Sequence, residues 1–208
     1  MQTKNLYNPR ANEKSTMPDF QPNKRVEDPE NYKASAQLID AVNVSILLGK
    51  PLLLTGAPGT GKTRLAHSVA HWFDLGKPLV FNTKTTSEAK DLFYRYEALQ
   101  HLHYVQTRKD VKGKDEKEIT REFIFYEALG EAIRSGERQV VLIDEIDKAP
   151  RDFPNDILNN IEHMEFYVPE LGERHKADEK KLPVVIITSN SEKNLPDAFL
   201  RRCVYYHI

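Results

Sequence analysis

Short apolar runs alternate with amphipathic stretches along most of the chain. The runs read as buried strands over residues 52–54, 78–82, 139–143, 184–188 and 204–208. The segment 32–48 instead carries apolar residues near helical spacing and is followed by Gly49, a residue typical of helix ends. Strands that alternate with helices predict an α/β domain with three αβα layers and a five-stranded, mainly parallel sheet.

The stretches between the strands supply the remaining predicted elements. Helices are predicted over 64–72, 88–100, 127–135, 151–162 and 195–202. Ser87 is a candidate cap for the second of these helices. A hairpin is predicted within 164–182. Residues 107–122, of which eleven of sixteen are charged, are predicted to form an exposed insertion.

The first 31 residues differ from the rest of the chain. They are polar, lack a helical or strand period, and contain four prolines, Pro9, Pro18, Pro22 and Pro29. We interpret residues 1–31 as an N-terminal arm that is flexible or lies on a neighbouring subunit. Residues 32–208 then form one domain.

The composition limits the class of protein. Lys and Arg number 30 against 31 Asp and Glu, so no strong basic field indicates nucleic acid or an acidic membrane as a partner. The single cysteine, Cys203, excludes an intramolecular disulfide and suits a reducing compartment. The sequence contains neither an apolar run of ~20 residues nor a signal-peptide core. These features predict a cytoplasmic location.

A glycine-rich loop follows the first strand and precedes a helix that begins near Arg64. It fits the pattern G-x-x-x-x-G-K-[ST] and consists of Gly56, Ala57, Pro58, Gly59, Thr60, Gly61, Lys62 and Thr63. The glycines allow successive N–H groups to surround a phosphate, and the helix dipole favours the same charge. We expect Lys62 to reach the β- and γ-phosphates of a nucleotide and Thr63 to ligate Mg²⁺. The other loop residues and Arg64, which follows them, are also predicted to bind the nucleotide. A chance glycine turn is the alternative, but both flanking elements are predicted.

Polar side chains also end two other predicted strands. Asp144 and Glu145 follow the third strand, where Asp144 is placed to hold Mg²⁺ and Glu145 to deprotonate a water. Asn190 follows the fourth strand and is a candidate for contacting the γ-phosphate or that water. A solvated acidic turn and ordinary turn chemistry are the alternatives. Arg201 and Arg202 are either solvated or stabilise charge on a neighbouring subunit.

Four segments in this order resemble an AAA+ ATPase, closest to the MoxR-like branch, over roughly residues 32–208. They are GAPGTGKT (56–63), LIDEIDKAP (142–150), TSN (188–190) and LPDAFLRRC (195–203). The resemblance implies that Lys62 and Thr63 belong to the Walker A motif and that Asp144 and Glu145 belong to Walker B. It also implies that Asn190 is the first sensor. Arg202 best matches the arginine finger, with Arg201 as its competitor.

The resemblance also implies partners. Members of this family form rings, usually of six subunits, that bind ATP and Mg²⁺ at subunit boundaries. The resemblance therefore implies a homo-oligomer that remodels a protein partner, with a protein substrate or an adaptor bound to it. A helical lid normally follows the fifth strand, and we expect it to be absent from this chain, which ends at Ile208. Two other functions remain open: a nucleotide-dependent assembly switch with little turnover, and a GTP-using or nucleic-acid-associated motor of the same branch.

Overall fold

The computed structural model describes residues 28–107, 115–190 and 195–208. The strands in these ranges are β1 (Leu52–Thr55), β2 (Leu79–Asn82), β3 (Tyr94–Tyr96), β4 (Ile124–Tyr126), β5 (Val140–Asp144), β6 (Glu165–Val168), β7 (Glu173–Lys176), β8 (Val184–Ser189) and β9 (Val204–His207). The helices are α1 (Ala36–Leu48), α2 (Lys62–Trp72), α3 (Ala98–Thr107), α4 (Glu116–Arg121), α5 (Ala128–Arg134), α6 (Phe153–Asp156), α7 (Leu158–His163) and α8 (Asp197–Leu200).

A five-stranded sheet forms the centre of the structure, in the order β2-β5-β8-β1-β9. All four of its strand pairs are parallel. β1, β5 and β8 are buried almost throughout, whereas the edge strands β2 and β9 alternate between half-buried and exposed residues. The predicted parallel sheet is therefore confirmed, and the continuous apolar runs mark its interior strands.

Helices cover both faces of this sheet, as predicted. Alternate strand residues point to opposite faces, so Leu53 and Ile187 join one buried cluster while Leu54 and Ile186 join the other. The first cluster includes buried residues of α5, α6, α7 and α8, and the second includes those of α1 and α2. The result is the three-layer αβα arrangement.

The strand order brings three polar strand ends together. β1 lies between β8 and β9, but the chain that leaves it through α2 returns at the far edge as β2. This change of direction leaves a crevice at the carboxyl ends of the strands, where ligands bind in open parallel sheets. The register pairs Thr55 with Ser189 and Ile143 with Ile187, so β1, β5 and β8 end at the same edge.

The predicted helix over 88–100 is wrong. A 3-10 turn occupies Ala89–Leu92, β3 follows, and α3 begins only at Ala98. The Phe93 carbonyl accepts a hydrogen bond from the N–H of Glu127 at 2.9 Å, and β3 pairs with β4 in a small antiparallel sheet. Ser87 caps no helix, because its hydroxyl accepts a hydrogen bond from the Lys84 N–H within the preceding turn.

Three other predicted segments differ from the structure. The helix over 151–162 is divided into α6 and α7 at Ile157, and the helix over 195–202 is limited to α8. Part of the charged insertion 107–122 is the helix α4, whose residues Ile119 and Thr120 are buried. Residues 108–114 of that insertion lie outside the described residues, as do residues 1–27 of the N-terminal arm.

β6 and β7 pair as an antiparallel hairpin over the segment where sequence predicted one. This hairpin contacts the small β3–β4 sheet: the Tyr94 hydroxyl donates to Glu170 at 3.0 Å, and Phe166 stacks on Phe93. No helix within the described ranges has both the length and the apolar character needed to cross a membrane.

Candidate functional site

The loop between β1 and α2 has a backbone shape that requires glycine. Gly56 is buried and has φ +143°, and a Cβ added to it would lie 2.5 Å from the carbonyl oxygen of Ile208. Gly59 and Gly61 also have positive φ, at +82° and +89°. The four residues between Gly56 and Gly61 are exposed, so the outer part of the loop is open to a ligand.

Lys62 lies inside the curve of this loop. Its side chain is buried, and Nζ donates to the carbonyl oxygens of Gly56 at 2.7 Å and Ala57 at 2.9 Å. A buried ammonium needs such acceptors. The loop therefore holds one positive charge next to its own backbone, in a position to attract an anion.

The amino end of α2 adds to this positive field. Gly61 is the N-cap residue of this 11-residue helix, and no side chain caps it. The first N–H groups of a helix lack partners within the helix and carry the positive end of its dipole. A phosphate is the type of group that binds at such an end.

Thr63 connects the loop to the end of β5. Its hydroxyl donates to both carboxylate oxygens of Asp144, at 3.1 and 3.2 Å. The Thr188 hydroxyl, on β8, donates to Asp144 Oδ1 at 2.5 Å. Asp144 is thus held by hydroxyls from two directions, and the side chains that were predicted to share a metal ion are in contact.

Glu145 turns away from the strand with a strained backbone. Its φ of 55° is unusual for a residue other than glycine, a type of conformation found most often at functional sites. Its N–H donates to the Thr188 hydroxyl at 2.9 Å. Thr188 therefore fixes both carboxylate residues, one through the side chain and one through the backbone.

The Glu145 side chain has two polar neighbours. Lys148 donates a hydrogen bond to Oε2, and Asn190 Nδ2 lies 3.4 Å from Oε1. The hydrogen bond to Glu145 raises the pKa of the Lys148 ammonium above its ordinary value. The N–H of Asn190 donates to Asp147 at 3.0 Å, which orients its amide toward Glu145.

The two arginines lie at the end of α8, where their contacts do not involve the loop. Arg202 Nε donates to Glu162 at 2.8 Å, and Nη1 donates to the Ala198 carbonyl at 3.0 Å. Arg201 is exposed. The structure thus brings Thr63, Asp144, Glu145 and Asn190 together, whereas Arg202 contacts Glu162 and Ala198.

Arg64, a predicted nucleotide-binding residue, already has a partner within the described chain. Its Nη2 donates to the carbonyl oxygen of Asp28 at 3.3 Å, so it ties α2 to the start of the described chain. Tyr32 lies closer to the loop, with a ring atom 3.3 Å from the position of a Cβ on Gly61. Burial raises the pKa of the Tyr32 hydroxyl. The Tyr32 ring therefore borders the loop.

Two residues of this network were missed by the sequence reasoning. Thr188 was included only as part of the polar end of the fourth strand, and Lys148 only as part of the segment LIDEIDKAP, with no role given to either. A hydroxyl at the end of an otherwise apolar strand was the available signal for Thr188. No local pattern distinguishes Lys148 from other exposed lysines, because its importance comes from the turn that places it against Glu145.

The oxygen atoms of this site suit Mg²⁺ bound to a phosphate ligand. Thr63 and Asp144 offer a hydroxyl and a carboxylate, which are hard oxygen donors. The described part of the chain contains no group of three or more His, Cys, Asp or Glu side chains able to hold a metal. Mg²⁺ commonly binds through one or two protein oxygens together with substrate phosphates and water, so this sparse donor set fits.

Comparison with known proteins agrees with this geometry. A family model, AAA domain (dynein-related subfamily), matches residues 51–203, which is more than half of the chain. The structure also resembles a crystal structure of a presumed ATPase from Cytophaga hutchinsonii, with a TM-score of 0.51 and 17% sequence identity. That likeness covers 83% of this chain and 49% of the other, so this chain spans about half of that protein. At this identity it supports the fold alone.

Proposed function

The chain belongs to the AAA domain family, dynein-related subfamily, and from this premise we propose that it binds ATP with Mg²⁺ and hydrolyses it. The observation that carries the proposal is the contact of the Thr63 hydroxyl with Asp144, beside Glu145. A phosphate-binding loop, a metal-binding carboxylate and a candidate base thereby lie at one crevice. Nothing in a phosphate loop by itself would require the other two groups to be adjacent.

In the bound state, we expect the triphosphate to lie along residues 56–63. Backbone N–H groups of the loop and of the start of α2 donate to phosphate oxygens. Lys62 exchanges its carbonyl acceptors for the β- and γ-phosphates, which are stronger acceptors because they are charged. Arg64 contributes to nucleotide binding indirectly. Its guanidinium donates to the Asp28 carbonyl oxygen and so helps to hold α2 in position.

Thr63 and Asp144 are the residues that would hold Mg²⁺. Bound there, the ion would neutralise charge on the phosphate oxygens and on the leaving group. Thr188 keeps the Asp144 carboxylate in place through its hydrogen bond to Oδ1. The protein's own contribution is therefore a pair of oxygen ligands whose orientation is set before the nucleotide binds.

Glu145 acts as the general base in the proposed reaction. A water attacks the γ-phosphorus, the bond from that phosphorus to the bridging oxygen breaks, and ADP leaves. Glu145 accepts the proton of the water and then releases it to solvent. Asn190 orients the water, supported by its contact with Glu145 and its hydrogen bond to Asp147.

We further propose that the protein is of the MoxR-like branch and works in a head-to-tail ring of six subunits, the number that the family resemblance implies. Each boundary then combines the loop of one subunit with the arginine finger of the next. Arg202 is our choice for the finger and Arg201 its competitor. Hydrolysis would move subunits against one another and remodel a protein partner. These proposals are supported by the motif order, and the comparisons extend only to the family.

Phosphate release tests the proposed reaction. Purified protein with ATP and Mg²⁺ should release phosphate, and Glu145→Gln should retain ATP binding while lowering turnover about 100- to 10,000-fold. Asp152→Asn, a change at an exposed carboxylate nearby, is the matched control and should not alter the rate. ATP binding without turnover in the unmodified protein would instead favour the assembly switch.

The choice of nucleotide needs a separate experiment, because the loop contacts phosphates and not the base. Competition between ATP and GTP for binding distinguishes an ATPase from a GTP-using relative. Stimulation of turnover by nucleic acid would favour the motor, which no basic stripe in the sequence supports.

A further inference from the structure

The ion pair between Arg202 and Glu162 is not used by the nucleotide site. It joins α7 to the end of α8, with Nε of Arg202 2.8 Å from Glu162 Oε2. We propose that Glu162 is a positioning residue, which holds the Arg202 guanidinium in the orientation needed to reach a neighbouring subunit's nucleotide. This inference rests on the proposed function, because it takes Arg202 as the arginine finger.

Two acceptors fix the guanidinium plane. Glu162 accepts from Nε, and the Ala198 carbonyl accepts from Nη1. Because guanidinium is planar, contacts at two of its nitrogens define the direction of the third. No acceptor for Nη2 is present among the residues that the structure describes, so three of the five N–H groups are left over, one on Nη1 and two on Nη2. Those are the donors that a phosphate from outside the subunit would use.

The exposure of the pair agrees with a positioning role. The Arg202 side chain retains 40% of its accessible surface and Glu162 retains 46%. A solvent-exposed ion pair stabilises a fold little, so stability alone is a poor explanation for this contact. The pair does restrict the long, flexible Arg202 side chain at the surface. A neighbouring subunit that binds this side chain then loses less conformational entropy, because the side chain is already ordered.

Glu162 is suited to a constant role because it stays charged. The hydrogen bond and the charge of Arg202 lower the pKa of the Glu162 carboxyl below its ordinary range. An arginine side chain is not deprotonated in proteins. The pair therefore persists across the pH range in which the enzyme would work. α6 and α7 also follow the turn that begins at Glu145. One continuous segment therefore carries both the candidate base, Glu145, and the positioning residue, Glu162.

The test mixes two inactive variants of the assembled protein. Subunits with Lys62→Ala have an impaired nucleotide site but still offer a finger, and subunits with Arg202→Ala offer a nucleotide site but no finger. Hydrolysis in the mixture then comes from boundaries where Arg202 of a Lys62→Ala subunit reaches the nucleotide bound to an Arg202→Ala subunit. Glu162→Ala is added to one partner at a time, and phosphate release is measured at saturating ATP.

On the finger-donating subunit, Glu162→Ala should lower the rate of the mixture about 10- to 100-fold, the scale of a misplaced catalytic group. On the subunit that already lacks Arg202, the same change should leave the rate unaltered. The inference is overturned if Glu162→Ala lowers the rate of hydrolysis on both kinds of subunit, or on neither. A faster rate of hydrolysis on the finger-donating subunit also overturns it. A mixture that never hydrolyses ATP overturns the trans arginine finger itself, and this result is distinguishable.

Two further variants separate positioning from folding. Glu162→Gln keeps an acceptor oxygen and should lose less activity than Glu162→Ala on the same subunit. Glu137→Ala removes a different exposed ion pair, with Lys181, and should change neither the mixture nor the melting temperature. Glu162→Gln could lower phosphate release as much as Glu162→Ala, and Glu137→Ala could lower it as well. That combination would mean that the loss of activity is structural and that the positioning role is wrong.

Discussion

The Thr63 hydroxyl donates to the Asp144 carboxylate across 81 residues of sequence, at 3.1 Å from Oδ1 and 3.2 Å from Oδ2. Thr63 lies in the first turn of α2 and Asp144 ends β5, so the packing of α2 over the sheet makes them neighbours. Both are oxygen donors that suit Mg²⁺. Their contact places the phosphate loop beside the carboxylates, and the predictions below depend on that arrangement.

Lys62→Ala should weaken ATP binding. The lysine ammonium would otherwise form charged hydrogen bonds to phosphate, each of which contributes roughly 1.5–3 kcal/mol. We expect the Kd for ATP, measured by calorimetry, to rise about 10- to 100-fold. Lys77→Ala, at an exposed lysine outside the loop, is the control and should bind normally. Unchanged ATP affinity in the Lys62 variant would remove the loop from the proposed site.

Thr188→Val should destabilise the protein and impair its Mg²⁺-dependent binding of ATP. The change removes one donor to Asp144 and leaves the Glu145 N–H without its acceptor. A buried polar group left unpaired costs about 1–3 kcal/mol. Urea unfolding should therefore show a lower midpoint with an unchanged m-value.

Thr83→Val provides the matched comparison for that experiment. Thr83 is also buried, but its hydroxyl oxygen has no hydrogen-bond partner among the described residues. Its replacement should be neutral or stabilising, because no pair is broken. Equal destabilisation by the two variants would mean that loss of a hydroxyl, and not loss of the Asp144–Glu145 support, explains the effect.

Gly56→Ala should lower the melting temperature by several degrees. Its φ of +143° is a glycine conformation, and a Cβ would lie 2.5 Å from the Ile208 carbonyl oxygen. Such strain costs about 1–3 kcal/mol, and scanning calorimetry measures it. Gly76→Ala shares a positive φ, at +72°, but its Cβ would have no atom within 4 Å. The Gly56 variant should therefore be the less stable of the two, and the reverse order would contradict the close approach.

Cys203 should react slowly with iodoacetamide in the folded protein. Burial raises the pKa of its thiol from 9.0 to about 12, although the nearby Lys50 charge acts in the opposite direction. The thiolate is the reactive form, so at pH 8 folding should reduce the alkylation rate roughly a thousandfold relative to urea-unfolded protein. The folded rate should still be rising at pH 10, where the unfolded rate has reached its plateau.

The same thiol predicts a pH dependence of stability. Between pH 9 and about pH 12 the unfolded state loses the Cys203 proton and the folded state keeps it. Its contribution to the free energy of unfolding is therefore fully present below pH 9 and decreases as the pH rises through that window. Cys203→Ser should flatten this part of the stability curve, and an unchanged curve would mean that other groups control it.

The sequence by itself determined the parallel sheet, the phosphate loop and the carboxylates at the end of β5. The apolar runs were continuous because interior strands are buried on both faces, and that signal is local. The glycine pattern and Lys62 form one uninterrupted segment, so their proximity needed no tertiary information. Asp144 and Glu145 could be placed because strand ends in a parallel sheet meet at one edge.

Tertiary structure alone decided the rest. Residues 94–96 have a composition compatible with helix or strand, and pairing with β4 selected the strand. Thr188 became the support of both carboxylates only through the neighbouring position of β8 and β5. Arg202 is held by Glu162, 40 residues earlier in the chain. Contacts between residues distant in sequence leave no local pattern, because their energy depends on packing that exists only after the chain has folded.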